Sequence, residues 1–388
     1  MEMAMPENFR HSTPVPEIVP SIDPALRRSA ARLRECMAMA LPIWAARAQR
    51  PDGSWVEHLT LDGTPDLGAE RRWRVIGRQA VAYAQGTLAG WHDGTDTARR
   101  SFDAYWSQGW TGTHMVHRIG ADGTVTDGRH DLYDHAFALL ACARMLQVTG
   151  NADYHRKAQA VTAYLDRHRH PAGGWYEGTV KPTPRRQNPH MHLLEASLAL
   201  FEATGDGADL SIAHAVIALF DTHFLKDGLI GEFFGDDWSP DPACGDHVEP
   251  GHAVEWVWLL RRYEAATGTD RRCARLSLYD RAFRQRLGRL YDAEQRDGTI
   301  DRQTTRLWVQ TEAVKAHLAM ADAGWAGAAG MAAASIDAMF GTFLRGDGLW
   351  NDQLNACDAV LSDTIPVSTL YHIVGMAAEA DRLVRGRP

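Results

Sequence analysis

The feature that most constrains the fold is a short turn-and-strand segment that recurs six times. Asp-Gly favours a tight turn, and the Trp, Val, Ile and Phe that follow suit a short strand or hairpin. The segments begin at Asp52 (DGSWVEHL), Asp122 (DGTVTDGRHDLYDHA), Gly173 (GGWYEG), Asp227 (DGLIGEFFGDDW), Asp297 (DGTIDRQTTRLW) and Asp347 (DGLWNDQL). The gaps between them are 70, 51, 54, 70 and 50 residues. Each gap has room for about two helices of ordinary length.

The stretches between these segments have helical periodicity. Apolar residues recur at i, i+3, i+4 and i+7 in 25–49, 135–150, 192–205 and 253–268, and three of these stretches end at Thr-Gly, a helix stop signal. Six turn-plus-two-helix units predict an all-α protein, a closed (α/α)6 barrel with short β-hairpins in its connecting loops. The alternative is an open α-solenoid, whose repeats are usually shorter and more uniform. We expect residues 25–388 to form a single barrel domain, preceded by an N-terminal extension over 1–24.

Charge and composition exclude several classes of partner. The net charge is −8, and the Lys and Arg residues are interleaved with Asp and Glu, which argues against nucleic acid or an anionic membrane. The apolar runs are too short to span a bilayer. Residues 1–24 are acidic and Pro-rich, unlike a signal peptide, so we expect a cytoplasmic protein. The oligomeric state is left open between monomer and homodimer.

The cysteines favour neither a disulfide framework nor a zinc site. There are five, an odd number, spread from Cys36 to Cys357 without a CxxC pair. Free thiols in a reducing compartment fit this pattern best.

The stretch DHVEPGHAVEWVW, residues 246–258, carries the first candidate site residues. Pro250 suits the first turn of a helix, because its missing N–H would be unpaired there. His252 and Glu255, three residues apart, then project from one face. The positive end of the helix dipole predicts a neutral His252 that is available as a base, with Glu255 orienting its ring or contacting a substrate hydroxyl.

Similar helix starts occur elsewhere. QNPHMHLLEASLAL has Asn188 as a candidate N-cap, Pro189 in the first turn and His192 three residues before Glu195. Glu195 and His135 are expected to be structural. The other candidates are His372 in DTIPVSTLYHIVGM, Trp308 and Glu312 in RLWVQTEAVKAHL, Arg78 in RRWRVIGRQ, and Tyr133 in DLYDHAFALLA. Because burying such groups without purpose is costly, their recurrence at helix starts favours a functional site.

Each candidate also has a structural interpretation. A lone His near a helix start is usually incidental, a Trp is usually core, and Arg78 could pair with a carboxylate. Metal binding is the main functional rival, because His and Glu three residues apart can ligate a di-iron centre. Those sites usually read Glu-x-x-His, the reverse of the order here, and the zinc motif His-Glu-x-x-His does not occur in this sequence. Metal binding is therefore the weaker interpretation of these residues.

Taken together, these motifs resemble the N-acylglucosamine 2-epimerase superfamily from about Arg72 to His372. RVIGRQAVAYA is similar to the segment with the active-site Arg, and NPHMHLLEA to an Asn-x-x-Met-His-x-x-Glu-Ala segment. EPGHAVEWVWLL is similar to the signature Pro-Gly-His-x-x-Glu-Trp, and RLWVQTEA and LYHIV to the last two motifs. The resemblance also implies an (α/α)6 barrel. It implies a pocket containing Arg78, Asn188, His192, His252, Glu255, Trp308, Glu312 and His372.

The resemblance further implies an isomerase or epimerase that opens a sugar ring and forms a cis-enediol without a cofactor. This chemistry needs groups that exchange protons near neutral pH, which His supplies. We expect His372 to move a proton between C2 and C1, and His252 to assist ring opening or to act on the opposite face of C2. Glu255 would hold His252, and Arg78 would stabilise the enediolate. Tyr133, Asn188, His192, Trp308 and Glu312 would bind the sugar.

The sequence favours interconversion of D-mannose and D-fructose, with a sugar 2-epimerase as the alternative. No insertion suggests a disaccharide subsite, and no cluster of Lys and Arg suggests a phosphate or sulfonate pocket, although the Arg pairs at 71–72 and 185–186 leave that open. The residues preceding the final Tyr-His (VSTLYH) depart from the polar pattern of the family, which argues against sulfoquinovose. An (α/α)6 glycoside hydrolase that uses Glu255 and Glu312, or a non-catalytic sugar-binding protein, is less favoured.

Overall fold

The computed structural model describes residues 23–179, 183–283 and 288–386. Most of the expected N-terminal extension, residues 1–22, lies outside this range. The described residues form twelve α-helices, none of which is long and apolar enough to cross a membrane. They are α1 (Pro24–Ala48), α2 (Arg74–Ala89), α3 (Thr95–Gly109), α4 (Leu132–Thr149), α5 (Ala152–Asp166), α6 (Gln187–Thr204), α7 (Ser211–Leu219), α8 (Pro250–Thr267), α9 (Arg272–Phe283), α10 (Leu307–Asp322), α11 (Ala328–Thr342) and α12 (Thr369–Arg385).

The helices form two concentric rings, which confirms the predicted (α/α)6 barrel. The even-numbered helices form the inner ring: each contacts the next, and α12 contacts α2 to close it. The odd-numbered helices lie outside, with α3, α5, α7, α9 and α11 against α2, α4, α6, α8 and α10, and α1 against α12. Inner helices are apolar on nearly all faces, because both the barrel interior and the outer ring cover them.

Helix α1 also meets the last turn segment, which excludes the open solenoid. The rings of Trp44 and Trp350 stack with centroids 4.1 Å apart. The Trp44 Nε1–H donates to the carbonyl oxygen of Gly348, at 3.0 Å. Both indoles are buried, so closure adds apolar contact that an open array of the same units would lack.

Fourteen short strands form six small antiparallel sheets within the described residues. The strands are β1 (His58–Thr60), β2 (Arg71–Arg72), β3 (Arg118–Ile119), β4 (Val125–Asp127), β5 (Arg185–Arg186), β6 (Leu225–Lys226), β7 (Leu229–Ile230), β8 (Phe233–Phe234), β9 (His247–Val248), β10 (Ala293–Gln295), β11 (Ile300–Arg302), β12 (Thr305–Arg306), β13 (Gln353–Leu354) and β14 (Thr364–Pro366). They pair as β1–β14, β2–β3–β4, β5–β8, β6–β7, β9–β10–β11 and β12–β13. All of them lie in connections that lead to inner helices.

The six recurrent segments are the turns within these connections. Each contains a glycine with positive φ, as at Gly53 with φ of 86°. A Cβ on Gly53 would lie 2.5 Å from the carbonyl oxygen of Arg100, so both conformation and space require glycine there.

The connections also satisfy backbone donors at the starts of inner helices, which would otherwise lack partners. In five connections, a residue close to the turn accepts a hydrogen bond from an N–H at or just before the start of an inner helix, and in four of the five it follows the turn. The acceptors are the carbonyls of Glu57, His117, Glu177, Glu232 and Asp352, and the donors are the N–H groups of Val367, Trp73, Leu132, Gln187 and Leu307, at 2.9–3.2 Å. Most acceptor residues are acidic, so their carboxylates lie close to the helix starts.

Candidate active site

The inner helices bring all nine predicted site residues to one end of the barrel. Every inner helix contributes, and each residue lies among the first six of its helix. The residues are Arg78 (α2), Tyr133 (α4), Asn188 and His192 (α6), His252 and Glu255 (α8), Trp308 and Glu312 (α10) and His372 (α12). The loops at this end of the barrel make it the natural place for a pocket.

His252 is held by two carboxylates, and neither is the predicted one. Its Nδ1 donates to Glu232 Oε2 at 3.0 Å and lies 3.7 Å from Glu249 Oε2. The expectation that Glu255 holds this ring is therefore wrong. Glu232 is in a better position because it lies in the loop between β7 and β8, with its backbone bonded to the start of α6 and its carboxylate reaching His252, whereas Glu255 lies one turn further along α8 itself.

The expectation of a neutral His252 is also wrong. Burial alone would lower the pKa of His252, but the charges of Glu232 and Glu249 outweigh burial and raise that pKa to about 10. His252 is therefore an imidazolium at neutral pH. Two close carboxylates have a larger effect than the partial positive charge of the helix start.

The contact between Asn188 and His252 is sensitive to this charge. Asn188 Nδ2 lies 3.1 Å from His252 Nε2, and Asn188 Oδ1 is buried without a partner among the described residues. An imidazolium donates from Nε2, so a charged His252 requires the Asn188 amide to turn over and present Oδ1 to the ring. The sequence predicted Asn188 as the N-cap of α6, and this is wrong. Arg186 occupies that position, because β5 continues directly into the helix.

His372 has a similar carboxylate partner but the opposite charge state. Its Nδ1 donates to Glu312 Oε1 at 2.9 Å. Burial lowers the pKa of His372, and the opposing effect of Glu312 does not restore it. The ring is neutral, and its Nε2 has no hydrogen-bond partner among the described residues. His372 is therefore suited to act as a base.

Trp308 contacts both of these histidines. Its ring centroid is 5.3 Å from that of His252 and 5.7 Å from that of His372. The indole is half-buried and sits over Gly251, where a Cβ would come within 2.7 Å of the ring. The glycine of the Pro-Gly-His sequence thus allows α8 to approach Trp308 closely.

A chain of hydrogen bonds connects Arg78 on α2 to Glu195 on α6. The Arg78 guanidinium donates to Tyr133 Oη at 2.7 Å, and Tyr133 Oη donates to His192 Nε2 at 3.2 Å. His192 Nδ1 in turn donates to Glu195 Oε2 at 3.0 Å, and the Tyr371 hydroxyl donates to Glu195 Oε1. Burial lowers the pKa of His192 to about 4, so its ring is neutral.

The two residues expected to be structural are fully engaged inside the protein. Glu195 bonds to His192 and Tyr371, as above. His135 Nδ1 donates to the carbonyl oxygen of Asp131 at 2.9 Å, and its Nε2 accepts from the Met115 N–H at 3.2 Å.

Arg78 has no ion-pair partner among the described residues. Its guanidinium lies 4.2 Å from the ring centroid of Phe137 and also near the rings of Tyr133 and Tyr371. Its Nε is buried without a hydrogen bond. The structural interpretation of Arg78, an ion pair with a carboxylate, therefore does not apply. An uncompensated guanidinium at a pocket is suited to stabilising negative charge that develops in a reaction.

Glu255 lies below the pocket and is isolated. It is 0 % exposed, and neither carboxylate oxygen has a hydrogen-bond partner within the described structure. Burial, followed by the charge of Glu312, raises the pKa of Glu255 well above its usual range. Glu255 therefore holds a proton more readily than a solvent-exposed glutamate does.

One group of residues has metal-ligand spacing. Ligand atoms of His192, Glu195 and Glu255 lie within 4.8 Å of one another. His192 and Glu195 already bond to each other, however, and the ammonium of Lys315 acts on both Glu195 and Glu255. A cation would have to compete with that hydrogen bond and that positive charge, so the group fits a metal ion poorly.

Four further residues of the site were not predicted from the sequence: Glu232, Glu249, Lys315 and Tyr371. A signal for Glu232 was present: it follows Asp227 by five residues, as Glu57 follows Asp52 and Asp352 follows Asp347. Comparison of the six turn segments could have found this recurrent carboxylate. No comparable repeat points to Lys315, which is a single buried lysine on α10.

Comparison with known proteins gives a consistent result. The model of the N-acylglucosamine 2-epimerase (GlcNAc 2-epimerase) family matches residues 54–376. A protein named mannose-6-phosphate isomerase from Rhizobium meliloti (strain 1021) is 32% identical over 369 residues, covering 86% of this chain and 92% of the relative. A D-mannose isomerase from Thermobifida fusca is 31% identical over 172 residues, covering 38% of this chain and 41% of the relative. The structure of a cellobiose 2-epimerase from Spirochaeta thermophila DSM 6192 superimposes with a TM-score of 0.84 at 21% identity, covering 95% of this chain and 99% of that one.

Proposed function

The chain belongs to the N-acylglucosamine 2-epimerase family, and from that premise we propose that it interconverts D-mannose and D-fructose through ring opening and a cis-enediol. One observation carries the proposal: two buried histidines flank Trp308, each bonded through Nδ1 to a carboxylate, and their pKa values are shifted in opposite directions. An enzyme that opens a ring and then moves a proton between adjacent carbons needs one acid and one base at the same site.

The charge states assign the two roles. Charged His252 donates a proton to the ring oxygen as the bond between that oxygen and C1 breaks, and the hydroxyl on C1 loses its proton to leave the aldehyde. Neutral His372, with a free Nε2, removes the proton from C2 and returns it to C1, while a hydroxyl proton passes from the oxygen on C2 to the oxygen on C1. The negative charge that develops on the enediolate oxygen is stabilised by Arg78, whose own charge is otherwise uncompensated. Trp308 supplies a flat apolar surface for the sugar, and Asn188, Tyr133 and His192 supply hydroxyl partners.

Two of the predicted residues take different roles in this proposal. Glu312 is 0 % exposed behind His372, so it orients that ring and does not bind a hydroxyl. Glu255 is equally buried. A glycoside hydrolase would need both carboxylates to reach the substrate, so their burial argues against that alternative.

The arginines near the pocket favour a neutral sugar over a sugar phosphate. Four of them lie just before or at the start of an inner helix, and each has a carboxylate partner. The pairs are Arg72 with Glu57, Arg74 with Asp134, Arg186 with Glu177, and Arg306 with Asp292. Arg78 is assigned to the enediolate in this proposal, so binding a phosphate as well would require breaking one of these pairs. We therefore propose D-mannose, the sugar in the name of the Thermobifida protein, as the substrate. Mannose 6-phosphate, the sugar in the name of the Rhizobium protein, is less favoured.

A sugar 2-epimerase is the second candidate, and the charge on His252 is the observation that favours it. An imidazolium near C2 could deliver a proton to the face opposite His372, which would invert that carbon instead of forming a ketose.

Proton NMR in D2O tests both proposals. The purified protein, treated with EDTA, is incubated with D-mannose. Fructose appearing with deuterium at C1 supports the isomerase, and glucose appearing first supports the epimerase. No exchange with mannose, glucose, N-acetylmannosamine or cellobiose would refute both.

A further inference from the structure

The two histidine–carboxylate pairs are nearly identical in geometry. His252 Nδ1 lies 3.0 Å from Glu232, and His372 Nδ1 lies 2.9 Å from Glu312. All four residues are buried. Geometry of the pair alone therefore cannot explain why one ring is charged and the other neutral.

The surroundings of Glu312, the carboxylate bonded to His372, differ from those of Glu232. Lys315, one turn further along α10, places its Nζ 2.6 Å from Glu312 Oε2. The same ammonium lies 3.5 Å from the ring centroid of Trp258 and is 1 % exposed. Glu232 bonds instead to the neutral amide of Gln187, and no Lys or Arg pairs with it among the described residues.

We propose that Lys315 is a positioning residue for the proposed isomerisation: its ammonium holds Glu312 in place and offsets that carboxylate's charge, so that His372 remains a neutral base. The inference rests on the proposed function, in which His372 must accept a proton from carbon. His252 has a second carboxylate, Glu249, near its Nδ1 in addition to Glu232, whereas the carboxylate bonded to His372 has an ammonium beside it. A carboxylate balanced by an ammonium still orients the ring but attracts the proton less.

The other charged groups around His372 leave this role to Lys315. The facing groups on the inner helices are Arg78 (α2), His192 and Glu195 (α6), Glu255 (α8), Glu312 and Lys315 (α10) and Tyr371 (α12). Glu195 is already bonded to His192 and Tyr371, and burial raises the pKa of Glu255. On the outer side, Arg34 pairs with Asp381, and Asp337 bonds to Ser29. Arg78 lowers the pKa of His372 more than Lys315 does directly, but within the described structure it pairs with neither Glu312 nor any other carboxylate, so only Lys315 acts through Glu312.

The test is the titration of His372 in the substrate-free protein. Histidine labelled with 15N reports the protonation of each ring, and the signal lost in His372→Gln identifies this residue. Lys315→Met replaces the ammonium with an apolar chain of similar length. Loss of one charge at this range is expected to raise the pKa of His372 by about one to two pH units. The acidic limb of the pH profile of kcat/KM for D-mannose should shift upward by the same amount.

Lys315→Met alone leaves the charge of Glu312 without a partner, and this variant could fold poorly. The same substitution is therefore also made in a protein that already carries Glu312→Gln. Glu312→Gln should lower the pKa of His372, and Glu312→Gln combined with Lys315→Met should raise it again. Lys157→Met is the matched control, since Lys157 also pairs with a carboxylate, Asp153, and lies 5.7 Å from a Trp ring, but on outer helix α5. This control should leave the titration of His372 unchanged.

The outcomes separate this inference from the proposed function. An unchanged His372 titration in both backgrounds overturns the role of Lys315, even if activity falls uniformly at every pH, because that fall would indicate structural damage only. A shifted titration supports the role whether or not mannose is converted, since NMR needs no turnover. A protein that shows the shift but exchanges none of the four sugars overturns the proposed function alone.

Discussion

The charge of His252 depends on a carboxylate that can be neutralised without changing its shape. In Glu232→Gln the amide oxygen can still accept from Nδ1, but the negative charge is lost. Unit charges about 3.5 Å apart, at an effective dielectric constant of about 20, interact by about 4–5 kcal/mol, which corresponds to about three pH units. The pKa of His252, raised to about 10 in the native protein, should therefore fall to about 7.

In Glu232→Gln, kcat/KM should begin to fall at a lower pH than in the native protein. His252 must be protonated to assist ring opening, so kcat/KM falls as the pH rises through its pKa. In the native protein that alkaline limb lies near the pKa of about 10. In Glu232→Gln it should lie about three units lower. The variant should keep most of its activity at pH 6 and lose about 10- to 100-fold at pH 9, on the basis of the fraction of charged ring.

The assay is the initial rate of fructose formation from D-mannose between pH 5.5 and 10.5. The matched control is Glu57→Gln, because Glu57 occupies the equivalent place in another connection and its side chain pairs with Arg72, not with a histidine. Its profile should keep the native alkaline limb. An unchanged alkaline limb in Glu232→Gln would refute the assignment of charge to His252 by Glu232, since no other charge in the protein is altered.

Four further variants test the rest of the site and the closure of the ring. Arg78→Gln should lower kcat by about 10²- to 10³-fold with little change in KM, measured by steady-state kinetics. His372→Gln should abolish deuterium uptake from D2O while circular dichroism stays native. Gly251→Ala should raise KM for mannose, because its Cβ would come 2.7 Å from the Trp308 ring; a native KM would contradict the proposed sugar surface. Trp350→Ala should cost about 3–5 kcal/mol in the free energy of unfolding by urea titration, and a loss below about 1 kcal/mol would contradict its role in closure.

The sequence was informative wherever the signal is local. Helix periodicity reflects neighbours within one turn, and Asp-Gly turns depend on two adjacent residues, so both can be read along the chain. The six recurrent segments therefore predicted the number of units. The positions of the site residues followed from the same logic: His252, His372 and Trp308 all lie near the beginning of an inner helix, and a closed ring brings those beginnings together.

The partners of these residues could not be read in this way. Glu232 reaches His252 from a loop 20 residues away in sequence, and Lys315 shares α10 with Glu312, which reaches His372 across 60 residues. Glu255 is close to His252 along the chain, which made it the obvious partner. The structure leaves it buried and unpaired instead.

The sequence by itself determined the units, their number and the helix faces that carry polar groups, because each depends on residues that are neighbours along the chain. Tertiary structure decided which carboxylate faces which histidine, and therefore which ring is charged. The physical reason is that a pKa depends on burial and on every charge within a few ångströms. Those distances are set only when hairpins and helices from different units pack around one axis.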